Sequence, residues 1–134
     1  MKTKPVLTLE DVKKIAAGAE AEAVKNNWAV TISVVDDGGH LLWLQRMDGA
    51  APVSAWIGPQ KAITAAIGRR ASAVYEKMVN EGRVSFLSVT PVTPLEGGVP
   101  IIVDGVCVGA VGVSGVKSTE DVQIAKAGMA ALGL

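Results

Sequence analysis

The sequence predicts one α+β domain over residues 1–134, in which helices cover an antiparallel sheet. Three observations support this class. Apolar residues recur at helical spacing near both ends and in the middle of the chain. Alternating segments lie between these stretches, and Asp-Gly turns at Asp36–Gly39 and Asp104–Gly105 are typical of hairpins. Because hairpins join antiparallel strands, the order α-β-β-α-α-β-β-β-α predicts a five-stranded antiparallel sheet.

The first third of the chain predicts a helix followed by a hairpin. Thr8 is a suitable N-cap, with acidic residues in the first turn, and apolar spacing continues the helix to about Lys25. From Trp28 to Val35, large apolar residues alternate with small ones, which predicts a strand. The second strand is expected at His40–Met47, after the Asp-Gly turn.

The middle of the chain predicts two helices and a further strand. A helix is expected to run regularly after Pro59, because proline suits a first helical turn. Ser72 is a candidate cap for a short helix over residues 73–80. The apolar run Val84–Val89 predicts the third strand, and a long loop then leads to Gly98.

The most unusual stretch is Gly97–Gly115, which is rich in glycine and nearly free of charge. It predicts strands at Val99–Val103 and Val106–Val113, and a final helix capped by Ser118. Glycines this dense inside strands indicate that something approaches the backbone closely. That neighbour is either another element of the protein or a ligand, so we expect a ligand-holding recess between this stretch and the central helix.

The composition argues against a membrane protein and against a nucleic-acid-binding protein. Apolar residues make up 49% and charged residues 19% of the chain, and mean hydropathy is +0.36. No segment approaches the roughly 18 apolar residues of a membrane span, so the surplus predicts a homo-oligomer rather than a membrane protein. Zero net charge and few aromatic residues argue against nucleic acid as a partner. The start lacks the apolar core of a signal peptide, which predicts a cytoplasmic location.

Several residues could carry chemistry. His40, the single histidine, could ligate a metal or haem iron or act as acid or base, or it is simply a strand-end residue. Lys61, near a helix start, could form an anion site or lie in solvent. Arg46 and Asp48 could hold a carboxylate or pair with each other. Cys107 is the single cysteine, which excludes an internal disulfide and a cysteine-rich zinc site.

The loop before the late hairpin is a further candidate. Glu96 precedes Gly97 and Gly98, whose bare N–H groups could bind a ligand. Ser114 ends the last strand just before a helix N-terminus, in an arrangement that is only weakly like an anion cradle.

Four segments, taken in order, resemble the GlcG/HbpS-like family of haem-degrading domain proteins. They are VVDDGGHLLWLQRMDGA, PQKAITAA, LEGGVPIIVDGVCVGAVGVSG and EDVQIAKAGMAAL. The resemblance implies a profilin-like α/β/α sandwich with a five-stranded antiparallel sheet, assembled into tetramers or octamers. It also implies haem in some members. Because the chain has no Cys-x-x-Cys-His signal, any haem would bind non-covalently. The family's characteristic positions fall here on Asp36, Arg46, Asp48, Lys61, Thr64, Gly97, Gly98, Pro100, Asp104, Gly112, Ser114, Gly115 and Asp121.

Three functions remain open at this point. The first is binding of a small ligand, with haem named as the ligand and His40 as the iron ligand. The second is a cofactor-independent isomerase, hydratase or tautomerase acting on a small carboxylate or carbonyl compound at a subunit interface. It would use Lys61, Glu96 or Asp48 as catalytic groups. The third is an accessory subunit without a ligand. Ligand-binding residues are expected to be Arg46, Lys61, Thr64, Gly97, Gly98 and Ser114.

Overall fold

Four helices enclose a four-stranded antiparallel sheet in a computed structural model that describes residues 1–134. The helices are α1 Leu9–Lys25, α2 Ser54–Gly68, α3 Ser72–Asn80 and α4 Ser118–Ala130. The strands are β1 Thr31–Asp36, β2 Leu41–Arg46, β3 Gly98–Val103 and β4 Val106–Ser114, in the order β2-β1-β4-β3. None of the helices combines the length and the apolarity that crossing a bilayer requires.

The prediction of a strand at Val84–Val89, and with it of a five-stranded sheet, is wrong, because Val84–Ser88 forms a short 3-10 helix with no buried residue. The Ser88 hydroxyl donates to the Ser85 carbonyl at 2.6 Å, a local bond that favours a turn over an extended chain. The Arg83 guanidinium lies 4.8 Å from the centre of the Phe86 ring, which also holds the segment compact. Local contacts therefore outweigh the strand preference of Val84 and Phe86 and leave the sheet with four strands.

The two faces of the sheet carry different residues, as the alternation in β1 predicts. Ile32 and Val34 face α1 and α4, where the larger apolar side chains form the main core. Thr31, Ser33 and Val35 are the small residues on the opposite face, which α2 covers. The result is three layers: α1 with α4, the sheet, and α2 with α3 beside it.

Small residues let α2 lie unusually close to the sheet. The buried stripe of α2 consists of Ala62, Ala65 and Ala66. On β4, a Cβ at Gly112 would lie 2.2 Å from the Gly58 carbonyl oxygen, so only glycine fits there. The neighbour that the glycine-rich stretch predicts is therefore, at this position, the backbone of the central helix.

Helix starts differ slightly from expectation. The central helix begins at Ser54, five residues before Pro59, so the proline lies inside the helix and removes one backbone donor. Ser72 and Ser118 are the first helical residues rather than caps. The first helix matches its predicted bounds, with Thr8 as N-cap and Asp11 completing a capping box.

Candidate functional site

The candidate residues lie in three regions of the molecule. We call the contact between α2, the start of β3 and α4 the junction; it holds Lys61, Gly97 and Gly98. A second region, the strand-end recess, is lined by Arg46 and Asp48. The third is the turn between β1 and β2, which carries His40. The sequence predicts these residues as candidates, but it does not predict that they lie in three separate regions.

At the junction, Lys61 is buried rather than solvent-exposed. Its Nζ donates to Asp121 Oδ2 at 2.9 Å and to the Val113 carbonyl at 3.0 Å. A Cβ at Gly97, whose φ is +136°, would lie 2.7 Å from that Nζ. Lys61 thus passes the start of β3, where no side chain blocks it, and reaches the first turn of α4 in the opposite layer. One ion pair ties the two helical layers together.

Asp121 is the acidic partner in this pair. Burial raises the pKa of Asp121, and the hydrogen bond and charge of Lys61 act against that rise. The other carboxylate oxygen accepts a hydrogen bond from the Val116 N–H at 3.2 Å. Sequence reasoning did not pair these residues because 60 positions separate them. The resemblance alone marked Asp121.

The remaining residues at the junction have partners within the chain. A Cβ at Gly98 would lie 2.1 Å from the Lys61 carbonyl oxygen, and the Gly98 N–H donates to Ser72 Oγ at 2.8 Å. Thr64 Oγ1 accepts from the Thr93 N–H at 2.7 Å and donates to the Gln60 carbonyl at 2.8 Å. The Thr64 hydroxyl fastens the loop before β3 to the central helix, and the Gly98–Ser72 bond joins the start of β3 to α3.

The expected recess between the central helix and the late hairpin is absent. The molecule has four surface recesses, and none is lined by Lys61, Gly97 or Gly98. Glu96 is half-buried and forms no ion pair, and Ser114 is buried opposite Thr31 of β1. Because α2 fills the space, packing accounts for the glycines here, and their binding role stays a prediction.

The strand-end recess has a volume of 390 Å³. Arg46 and Asp48 line it with Glu20, Gln45 and Met47, but the two do not pair with each other. Neither residue is among the polar partners of Lys61. The recess therefore combines one free guanidinium with two carboxylates, apart from the buried lysine.

His40 lies in a turn that its neighbour Asp36 organises. Asp36 Oδ1 accepts from the Gly38 and His40 N–H groups, each at 2.9 Å. His40 Nδ1 lies 3.1 and 3.2 Å from the two carboxylate oxygens of Asp36. Burial acts to raise the pKa of Asp36, but these hydrogen bonds outweigh it and hold the pKa below its ordinary value. Asp36 thus anchors Nδ1, while the His40 side chain as a whole is 81% exposed.

The same turn forms part of a recess of 280 Å³, which we call the turn recess. Its charged lining residues are Lys4, Asp37 and Arg69, and Lys4 pairs with Asp37. Arg69 has no carboxylate partner. The other lining residues are Ile102, Gly105, Val106 and Cys107. Sequence analysis missed Lys4 and Arg69, because nothing in their local pattern shows that the N-terminal segment, two turns and the end of α2 meet here.

The side chains limit which cofactors the chain can hold. No group of three or more His, Cys, Asp or Glu residues comes together to bind a metal ion. A single outward imidazole is instead sufficient for an iron whose other ligands come from a macrocycle. The chemistry of the donors therefore fits haem better than a bare metal ion.

Comparison with known proteins identifies the family of the chain. Residues 7–130 match the family model described as haem degrading protein HbpS-like. Protein GlcG of Escherichia coli K12 is 55% identical over 114 residues, which cover 85% of each chain. The crystal structure of a Streptomyces reticuli HbpS double mutant matches with a TM-score of 0.92 at 32% identity, covering 100% of this chain and 92% of that one.

A third relative was solved with a ligand. The crystal structure of a PduOC:heme complex matches with a TM-score of 0.87 at 27% identity and covers 95% of both chains. The family that the four sequence segments resemble is thus confirmed by sequence and by fold. This chain belongs to the HbpS-like family of haem-degrading proteins.

Proposed function

We propose that the protein binds haem non-covalently and that His40 Nε2 is the iron ligand. The observation that carries this proposal is the anchored imidazole: Asp36 holds Nδ1 at 3.1 Å while the rest of the ring is exposed. A carboxylate behind a ligating histidine fixes its tautomer and orientation and makes it a stronger ligand. The haem complex of a relative with the same fold supports the choice of macrocycle.

The surroundings of His40 supply the other features that a porphyrin needs. Ile67 of α2 packs against Gly39 and is 39% exposed, and Leu41 beside His40 is 55% exposed. These side chains offer apolar surface to the ring. Arg69, which has no carboxylate partner, provides positive charge for the anionic propionates. When bound, haem supplies the redox and ligand-binding chemistry of its iron, while these residues bind and orient it.

One copy of the chain offers only part of such a site. Pockets for drug-sized ligands occupy about 300–1,000 Å³, and the turn recess, at 280 Å³, falls just below that range. We therefore propose that a second copy of the chain covers the outer face of the bound macrocycle. This matches the homo-oligomer that the apolar composition predicts.

A hemin titration tests the proposal. We expect the wild-type protein to bind hemin with a Soret shift, and His40→Ala to bind at least tenfold more weakly. Asp36→Asn should bind with intermediate affinity, because the imidazole keeps its place but loses the carboxylate. Melting temperatures serve as a control, since the exposed His40 side chain contributes little to packing. Equal hemin affinity of wild type and His40→Ala would contradict the proposal.

The enzyme hypothesis has less support from the geometry. It requires Lys61 to meet a substrate, whereas its ammonium group is bonded to Asp121 and the Val113 carbonyl. Asp48 and Arg46 line a different part of the surface. No recess brings Lys61 together with Arg46 and Asp48, so haem binding is the function that we put forward.

A further inference from the structure

Arg69 has a backbone conformation that arginine rarely adopts. It ends α2 in the left-handed region, with φ +56° and ψ +32°, and its N–H bonds to the Ala66 carbonyl at 3.2 Å. Glycine is the usual residue at such a helix end, because a Cβ is strained there. The fold would therefore accept glycine at this position more easily than the arginine that it contains.

The arginine side chain has no partner within the molecule. It lines the turn recess, where the single acidic residue, Asp37, is paired with Lys4. The nearby walls include the apolar side chains of Ile102 and Val106. A guanidinium that is free of carboxylates and lies beside apolar walls is suited to a carboxylate carried on an apolar skeleton.

The recess and the proposed iron ligand share one turn. Asp37 lines the recess, and His40 lies three residues farther along the same turn. Gly39 packs against Ile67, two residues before Arg69. The turn that carries His40 therefore also borders the recess that Arg69 lines, although His40 itself is not a lining residue.

We propose that Arg69 binds a propionate carboxylate of the tetrapyrrole. This inference rests on the proposed haem-binding function. It adds a residue that favours porphyrins with free carboxylates over porphyrins whose carboxylates are blocked. It also gives a reason for an arginine at this strained position. Glycine would be easier for the backbone to accommodate, but it has no guanidinium to bind the carboxylate.

The test compares Arg69→Gly with wild type on three probes: hemin, iron-free protoporphyrin IX, and protoporphyrin IX dimethyl ester, in which both carboxylates are blocked. We expect Arg69→Gly to lower the affinity for hemin and for protoporphyrin IX roughly tenfold or more, because a hydrogen bond between charged groups is lost. Affinity for the ester should not change. The variant should melt at or above the wild-type temperature, because glycine relieves the strain. Arg70→Ala is the matched control, since Arg70 lies 5.6 Å from the Tyr75 ring centre and outside the recess.

The outcomes separate this inference from the proposed function. If Arg69→Gly and wild type bind both free-acid porphyrins equally, the role of Arg69 is overturned and a His40-dependent Soret shift still stands. If the affinity for protoporphyrin IX depends on Arg69 while wild type and His40→Ala bind hemin equally, the role of His40 as iron ligand is overturned and the Arg69 site is supported. Absence of any porphyrin binding by the wild type overturns both.

Discussion

At the scale of single residues, the clearest result is the environment of Lys61. The sequence predicts that Lys61 lies near a helix start, as an anion site or a solvated side chain, but it lies buried in the middle of α2. Instead its ammonium group meets a carboxylate from the opposite layer, past Gly97. Local sequence marked the lysine and the glycines as unusual. It could not supply the partner, because Asp121 is brought there only by the complete fold.

This ion pair should make a large contribution to stability. Lys61→Met leaves a buried carboxylate without its partner, so we expect the free energy of unfolding to fall by about 3–5 kcal/mol. Replacing both partners with apolar residues, as Lys61→Met/Asp121→Leu, should recover much of the loss. Denaturant unfolding measures both. Lys77→Met, which removes an exposed lysine paired with Glu81 at 3.9 Å, is the control and should change little. Unchanged stability of Lys61→Met would show that the pair does not hold the layers together.

At the scale of elements, capping and turn signals predict more than apolar content does. The bounds of α1 follow from Thr8 and the spacing behind it, and both hairpins follow from their Asp-Gly turns. The segment Val84–Ser88 has the composition of a strand but forms a 3-10 helix. A strand needs a neighbour to pair with, and this segment follows a helix with which it packs closely. Pairing partners are not visible in a local pattern.

The cap of α1 predicts a measurable dependence on acid. Two hydrogen bonds lower the pKa of Asp11. The larger effect comes from the Thr8 backbone N–H and the smaller from the Thr8 hydroxyl. The folded pKa thus lies below the unfolded one, so the stabilising effect is present above the unfolded pKa and is lost as pH falls through the folded pKa. Asp11→Asn should therefore be less stable than wild type near neutral pH, and the difference should shrink in strong acid.

Thermal unfolding at several pH values measures that difference. Glu10→Gln is the matched control, because Glu10 lies in the same turn but has only an exposed pair with Lys14 at 3.6 Å. A gap between wild type and Asp11→Asn that stays constant from neutral to strongly acidic pH would mean that the carboxylate does not cap the helix.

At the scale of the whole molecule, the layered architecture follows from the sequence more reliably than the site does. Alternation within strands and glycine-rich packing specify which face each helix covers. The turn recess, in contrast, forms where the N-terminal segment, two turns and the end of α2 meet. No single stretch of sequence describes that meeting point. His40 could be named in advance, while Arg69 and Lys4, which line the recess beside its turn, could not.

Exposed apolar side chains on the edge strand β2 and on α2 support the prediction of a homo-oligomer. Leu44 of the edge strand β2 is 44% exposed, and Trp56 of α2 is 74% exposed. We expect light scattering to give the mass of a tetramer or an octamer. Leu44→Lys should shift the protein to smaller species, because a charge would be buried at the contact. Val24→Lys is a control at a position that is 60% exposed on α1. A monomer at micromolar concentration would contradict the prediction.

The central claim is that His40, anchored by Asp36, is the ligand to a haem iron. The most direct measurement is the visible absorption spectrum of the protein at saturating hemin, taken side by side for wild type and His40→Ala. We predict a histidine-ligated spectrum for wild type and a different spectrum, without that ligation, for the variant. Identical spectra for the two proteins would contradict the account.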